Sequence, residues 1–200
     1  MTTPHFSPAS RRMTPGEADA ATRLVHTAFA DDPIMRWVWP GTNRWASVGY
    51  TFLARLAEVR LSGGEAWVTD DLGAVALWEP PGGIYASRPG LWPEFNRLLT
   101  PDEDARLTAY DAAIDGLRPV ESHWYLGVLA VHVDRRGRGL ARTVATPILD
   151  SADRTATSVV LETATPVNLA IYARLGFEVD GEVDLPDDGP HVWLLRRPPG

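Results

Sequence analysis

Apolar residues along the chain recur at two spacings, one typical of amphipathic helices and the other typical of strands. The first helical pattern begins at Thr14–Glu17, where Thr caps the helix, Pro occupies the first turn and Glu completes a capping box. Asp31-Asp32-Pro33 ends this helix shortly after Phe29. A second helical pattern covers about 44–61, beyond a short segment that contains Met35, Trp37 and Trp39.

The strand patterns begin with a hairpin. Glu65–Thr69 and Ala74–Trp78 flank an Asp-Asp-Leu-Gly turn, which is typical of two antiparallel neighbours. Beyond the hairpin, the periodicity predicts helices and strands in turn: helices over 91–99 and 102–117, a strand over 123–133, a helix over 140–154, a strand over 159–163, a helix over 167–175, and strands over 179–185 and 192–196.

This order of elements predicts a mixed α/β fold. Residues 1–10 are expected to form a flexible tail, and no linker or repeat divides residues 11–200, which we expect to be one domain. The chain has 200 residues, of which 44% are hydrophobic, and it contains eight Trp. That is enough apolar material for a sizeable core.

The composition excludes several classes of protein. A net charge of −7 argues against general nucleic-acid binding. The absence of Cys excludes disulfides, thiolate metal sites and a Cys nucleophile. No apolar run is long enough to cross a membrane, and the N-terminus lacks the basic and apolar regions of a signal peptide. We therefore expect a soluble, cytoplasmic protein that binds neither nucleic acid nor membrane.

The stretch richest in candidate chemistry is the turn between strand 123–133 and helix 140–154. It is rich in arginine and glycine, reading Asp134-Arg135-Arg136-Gly137-Arg138-Gly139-Leu140-Ala141-Arg142. Glycines let the backbone approach a ligand closely, and the start of a helix offers free N–H groups and a positive dipole. This combination predicts a phosphate site.

Three kinds of turn are candidates for this pattern. A Walker phosphate loop is excluded because the sequence contains no Lys. A dinucleotide-binding turn fits Gly137-x-Gly139 and the acidic Glu162 at the end of the next strand. However, Arg142 stands in place of the third glycine, and only about 60 residues follow, too few for a doubly wound domain. A tight turn with solvated arginines is the third alternative.

Two sequence signatures indicate a family. Arg136-x-x-Gly139-x-Ala141 resembles the Arg/Gln-x-x-Gly-x-Gly/Ala signature of the GNAT superfamily of acyl-CoA-dependent N-acyltransferases. Downstream, Asn168, Tyr172 and a Gly-Phe pair are similar to the second signature of that superfamily. The resemblance covers roughly residues 123–197. Four further features resemble its puromycin acetyltransferase-like branch: residues 28–33, the extra helices near 90–117, the strand beginning His123-Trp124-Tyr125-Leu126, and the ending Leu185-Pro186…Trp193.

The resemblance implies a fold and a co-substrate. The fold would be a mostly antiparallel, twisted sheet of about six or seven strands flanked by helices, splayed between strands 123–133 and 159–163. Acetyl-CoA would bind in the slot so formed, without a metal. Its pyrophosphate would lie on the arginine-glycine turn, with Arg135 as a further candidate partner. The residues implied to bind it are Leu129, Ala130, Val131, Arg136, Gly137, Arg138, Gly139, Leu140, Ala141, Arg142 and Asn168.

The resemblance also implies a general acid. Tyr172 would protonate the departing thiolate, which a phenol is able to do. The alternative is that Tyr172 simply packs in the core with Leu169 and Leu175. For the base that takes the proton of the amine, the candidates are Glu162 first and Glu79 second. Other titratable residues that flank the central strand remain open as bases: Glu121, His123 and His132.

The acceptor is predicted to be a primary amine of a small molecule, such as an antibiotic or aminonucleoside. Asp31 and Asp32 would attract a cationic amine, and Trp37, with Trp39 and Trp45, would bind its body at the entrance of the site. A helix-ending turn beside buried tryptophans is the alternative. A non-catalytic acyl-CoA sensor and a protein N-terminal or lysine acetyltransferase remain open as functions. We expect a monomer or a homodimer.

Overall fold

The computed structural model of the chain describes residues 9–83 and 91–200. Seven strands form one sheet in the order β1-β2-β3-β4-β5-β7-β6. Every neighbouring pair is antiparallel except β4 and β5, which are parallel. The strands are β1 (Ser10–Arg12), β2 (Glu65–Thr69), β3 (Ala74–Glu79), β4 (His123–Val131), β5 (Ser158–Thr163), β6 (Glu178–Asp184) and β7 (His191–Arg197).

Helices cover both faces of the sheet. They are α1 (Ala18–Ala28), α2 (Pro33–Val38), α3 (Thr42–Arg44), α4 (Tyr50–Gly63), α5 (Leu91–Asn96), α6 (Pro101–Asp115), α7 (Leu140–Arg154) and α8 (Pro166–Ala173). A first core lies between the sheet and the helices α1, α2, α4 and α6. A second core lies between the sheet and the helices α7 and α8. Within the described ranges, no helix is long and apolar enough to cross a membrane.

The sheet opens at its centre. The strands β4 and β5 pair only through His123–Tyr125 and Ser158–Val160, and they diverge beyond that point. On its other side, β4 stays paired with β3 as far as Val131. The register of that pair shifts because Gly127 forms a bulge. The divergence leaves a slot between two neighbouring strands, and the fold class predicted from the sequence is confirmed.

The structure differs from the sequence predictions mainly at short elements. Residues 1–8 of the predicted tail lie outside the described residues, whereas Ser10 belongs to β1 and pairs with Thr69. The segment after Asp32 is the helix α2, and the predicted helix over 44–61 contains a π-helical turn at Trp45–Gly49. The predicted strand over 123–133 ends at Val131, because a 3₁₀ turn forms at Val133–Arg135.

Candidate active site

The turn between β4 and α7 forms an open cradle of backbone N–H groups. Gly137 and Gly139 adopt φ of 76° and 77°, a conformation costly for residues with a side chain. The backbone N–H groups of Gly137 to Arg142 have no hydrogen-bond partner in the described part of the chain. The N–H of Arg136, which was expected to join them, is directed to the carbonyl of Val133 at 3.5 Å. Six consecutive free donors at a helix start suit an anion.

The arginines of this turn differ in their availability. Arg135 forms an ion pair with Asp71, and Arg142 donates to the carbonyl oxygen of Arg174 at 2.7 Å. Arg136 and Arg138 are exposed, and within residues 9–83 and 91–200 neither side chain has an ion pair or hydrogen bond. Arg136 and Arg138 are therefore the side chains able to bind a phosphate without first losing a partner.

The slot itself is bounded by the unpaired edge of β4. Leu129, Ala130 and Val131 pair with β3 on one side, while no strand pairs with them on the side of β5. Backbone groups of a strand point alternately to its two neighbours, so some N–H and C=O groups of β4 face the slot. A ligand rich in amides is able to bind these groups as a further strand would.

Glu162 lies on β5 beside the slot, on the face of the first core. Its Oε1 accepts hydrogen bonds from the hydroxyls of Tyr110 on α6, at 2.5 Å, and of Tyr125 on β4. Its Oε2 is buried and has no hydrogen-bond partner in the described part of the chain. Burial raises the pKa of Glu162, and the two phenols and the charges of Arg118 and Arg60 oppose that effect.

Tyr172 lies on α8, on the opposite face of the sheet. Its ring packs against Phe177 at a centroid distance of 5.8 Å, within the second core. No residue of the described ranges hydrogen-bonds its hydroxyl. Burial raises the pKa of this phenol well above its ordinary value, and the negative charges of Glu162 and Asp32 raise it further. These three groups thus interact electrostatically, although they lie on three different elements.

Asp32 caps the helix α2 and interacts electrostatically with Glu162 and Tyr172. Its Oδ1 accepts from the backbone N–H groups of Ile34, at 3.0 Å, and Met35, at 3.1 Å. Burial raises the pKa of the carboxyl, the two hydrogen bonds lower it, and the charge of Glu162 raises it. Asp31 is exposed, and within the described ranges its side chain has no hydrogen bond or ion pair. The structure therefore brings Asp32, rather than Asp31, to Glu162 and Tyr172.

The tryptophans expected at the entrance separate into two groups. Trp37 is half-buried, and its Nε1 donates to the carbonyl of Asp187 at 3.4 Å. Trp39 and Trp45 are 0% and 5% exposed and belong to the first core. The expectation that Trp39 and Trp45 line the entrance is wrong, because these rings pack against each other and against Phe52 and His26.

The remaining base candidates have other surroundings. Glu79 lies opposite Tyr125 in the β3–β4 register and forms a buried ion pair with Arg60. The guanidinium of Arg60 fills the space that a Cβ on Gly127 would occupy.

The base candidates at the two ends of β4 are more exposed. Before the start of β4, Glu121 is exposed, and its carbonyl oxygen is hydrogen-bonded to His123 Nδ1 at 2.7 Å. After the end of β4, His132 is exposed and bonds the N–H of Asp134.

Asn168 connects the two elements beside the slot. Its Nδ2 donates to Thr163 Oγ1 at 3.1 Å, which ties the start of α8 to the end of β5.

Sequence reasoning missed Tyr110 and Tyr125 as partners of Glu162. Tyr110 gave no signal, because it lies 52 residues from Glu162 on a helix that carries neither of the two family signatures. Tyr125 carried one signal, since it lies on the same strand as the slot.

Known proteins share both the local sequence and the fold. Residues 97–177 match the model of the family described as Acetyltransferase (GNAT) family. The fold is similar to that of histone acetyltransferase HPA2 and related acetyltransferase from Corynebacterium glutamicum, with a TM-score of 0.72, 22% identity and 98% of each chain covered. It is also similar to polyamine N-acetyltransferase from Drosophila melanogaster, with a TM-score of 0.68, 14% identity, and 96% of this chain and 100% of that chain covered.

A third structure of the same fold is arylalkylamine N-acetyltransferase 2 from Aedes aegypti. The TM-score is 0.63 at 15% identity, and the match covers 96% of this chain and 98% of that chain. In each of the three structures, the match thus extends over nearly the whole of both chains. The comparisons therefore show the GNAT fold for this chain, and the family model adds a match over residues 97–177.

Proposed function

Because residues 97–177 match the GNAT acetyltransferase family and the chain has the GNAT fold, we propose that this protein transfers an acetyl group from acetyl-CoA to a small primary amine. One observation carries the proposal. A slot through the sheet has free N–H donors at its mouth, Tyr172 on one face, and Glu162 with Asp32 on the other. The two substrates would thus meet between a proton donor and a proton acceptor.

The residues around the slot fit acetyl-CoA. The free N–H groups from Gly137 to Arg142 suit its pyrophosphate, and the exposed Arg136 and Arg138 add charge. The unpaired edge of β4 over Leu129–Val131 suits its amide-rich arm. When bound, the co-substrate supplies a thioester with a thiol as the leaving group. No metal takes part in the proposed reaction.

Glu162 would take the proton of the amine. A base works best when its pKa lies near the operating pH, and burial moves the pKa of Glu162 upward in that direction. Its unpartnered Oε2 is free to accept the proton. Tyr172 would donate a proton to the departing thiolate through a hydroxyl that is engaged with no described residue. Glu79 is less suited to act as the base, because its carboxylate is engaged with Arg60.

The acceptor would be a small cationic amine. Asp32 and Glu162 place negative potential at the site, and Trp37 offers a half-buried aromatic surface on α2, the helix that Asp32 caps. The Drosophila protein of the same fold is named for polyamines and the Aedes protein for arylalkylamines. An aminonucleoside acceptor, as in the puromycin acetyltransferase-like branch, belongs to the same proposal.

The proposed function is tested by release of free CoA from acetyl-CoA in the presence of individual amines. The panel contains agmatine, spermidine, an arylalkylamine, puromycin, and a peptide with a free N-terminus and a lysine. The absence of Cys removes any thiol background from the protein. We expect an acetylated small amine by mass spectrometry. Binding of acetyl-CoA without CoA release from any acceptor would favour the sensor, and acetylation of the peptide alone would favour a protein acetyltransferase.

A change in the turn tests the binding of the co-substrate. We expect Arg138→Ala to raise the Kd for CoA about five- to tenfold, because one charged hydrogen bond to a phosphate is lost. Isothermal titration calorimetry at fixed salt measures this change. Arg154→Ala is the matched control, since Arg154 is an exposed arginine at the other end of α7. An equal effect of both substitutions would contradict a specific contact and indicate only general electrostatic attraction.

A further inference from the structure

Two tyrosines from different elements hold one oxygen of Glu162. Tyr110 comes from α6, and Tyr125 comes from β4, directly where the pairing of β4 with β5 ends. A glutamate side chain rotates about three bonds, and hydrogen bonds from two independent elements restrict all of them. Because Oε1 accepts the hydrogen bonds of both phenol hydroxyls, Oε2 is the oxygen left to accept a proton.

We propose that Tyr110 is a positioning residue, which fixes the Glu162 carboxylate with Oε2 free and keeps that carboxylate ionised for proton transfer from the amine. This inference rests on the proposed function, in which Glu162 is the base. It assigns a catalytic contribution to α6, a helix that carries neither of the two family signatures.

The surroundings of Glu162 explain why a phenol matters there. Burial disfavours the charged carboxylate, and the hydrogen bond from Tyr110 is one of the interactions that opposes burial. Tyr125 acts in the same direction and is itself covered by the guanidinium of Arg118, 4.5 Å from its ring centroid. Loss of the Tyr110 hydroxyl would therefore raise the pKa of Glu162 further.

Other charged groups face the same carboxylate and have to be considered. Arg118 and Arg60 lower the pKa of Glu162. Asp111, next to Tyr110 on α6, has a pKa raised to about 6 by burial and by the charges of Asp115 and Glu162. Asp32 and Tyr172 also interact with Glu162. Asp111 is a second carboxyl with a raised pKa that interacts with Glu162, so the experiment has to separate the two titrations.

The test is the pH dependence of kcat/KM in Tyr110→Phe. We expect the acidic limb of this pH profile to shift to higher pH by about 0.5 to 1 unit. The reason is that loss of the Tyr110 hydrogen bond stabilises the protonated form of Glu162 relative to the ionised form. The KM for acetyl-CoA should not change. Adding Asp111→Asn to the wild-type and Tyr110→Phe backgrounds should leave the displacement intact, whereas Glu162→Gln should abolish the limb.

The matched control is Tyr50→Phe. The hydroxyl of Tyr50 donates to Asp19 at 2.5 Å, so this variant removes the same type of hydrogen bond at an exposed position. It should leave the pH profile unchanged. An unmoved acidic limb in Tyr110→Phe, with a lower melting temperature as its only effect, would show a merely structural role and overturn the inference.

A second readout is independent of turnover. The Glu162 carboxyl carbon, assigned in the ¹³C NMR spectrum by its loss in Glu162→Gln, should titrate at higher pH in Tyr110→Phe than in the wild type. If the wild type releases no CoA, the proposed function fails and the catalytic role of Tyr110 fails with it. If the wild type is active and neither the limb nor the carboxyl titration moves, only the inference about Tyr110 fails.

Discussion

Replacing Tyr172 by phenylalanine is expected to lower kcat about 10²- to 10⁴-fold, the usual contribution of a positioned general acid. The Kd for acetyl-CoA should stay within about twofold, because the hydroxyl acts on the leaving group rather than on the bound co-substrate. Stopped-flow or steady-state CoA release gives kcat, and calorimetry gives the Kd. Folding stability should also be retained, since phenylalanine keeps the packing on Phe177 and the hydroxyl has no partner in the described residues.

The raised pKa of Tyr172 has two consequences for this experiment. The phenol remains protonated through neutral and mildly alkaline pH, so it is available as a donor. It is also a weaker acid than a free phenol. However, the same desolvated surroundings disfavour the leaving thiolate and raise the pKa of its thiol. Because the pKa values of the phenol and of the thiol rise together, proton transfer from the phenol to the thiolate stays about as favourable as before.

The outcomes of Tyr172→Phe distinguish three roles. A lower kcat with intact binding identifies Tyr172 as the acid. Full activity would show that the proton comes from elsewhere and that Tyr172 only packs against Phe177 and its neighbours. Loss of stability together with activity would also indicate packing. Tyr50→Phe serves as the control here too, because it removes a phenolic hydroxyl outside the slot.

The elements that the sequence predicts well are long and locally determined. The helix Leu140–Arg154 and the strand Glu65–Thr69 agree with the structure at both ends. Each has a periodic apolar face and a turn signal at its boundary. The strand β1 and the helix α2 are short, with three and six residues, so periodicity has too few positions to indicate them. The splay of the sheet was implied only by the family resemblance.

The candidate site shows the same division. The turn around Gly137 and Gly139 is contiguous in sequence, so its glycines and helix start were visible together. The contacts of Glu162 were not visible, because Tyr110 and Tyr125 come from separate elements that only the tertiary fold brings together. Trp39 and Trp45 look like binding residues by type, and only their burial identifies them as core.

Glu79→Ala is expected to lower the free energy of unfolding by about 3–5 kcal/mol, because it leaves the buried guanidinium of Arg60 without the carboxylate of Glu79. Arg60 is 1% exposed and Glu79 is 6% exposed, so water cannot readily replace the lost partner. The guanidinium lies against Gly127, and its displacement would disturb the bulge of β4 beside the slot. Urea denaturation monitored by tryptophan fluorescence measures the change.

Two further variants separate the loss of the charge partner from the loss of packing. Glu65→Ala removes a carboxylate whose ion-pair partner, Arg12, is exposed, and should cost no more than about 1 kcal/mol. The double variant Arg60→Leu/Glu79→Leu removes both charges and should be more stable than Glu79→Ala, because no charge is then buried without a carboxylate partner. Equal stabilities of the single and double variants would contradict this explanation. The bulge at Gly127 would then depend on the volume of Arg60 rather than on the ion pair.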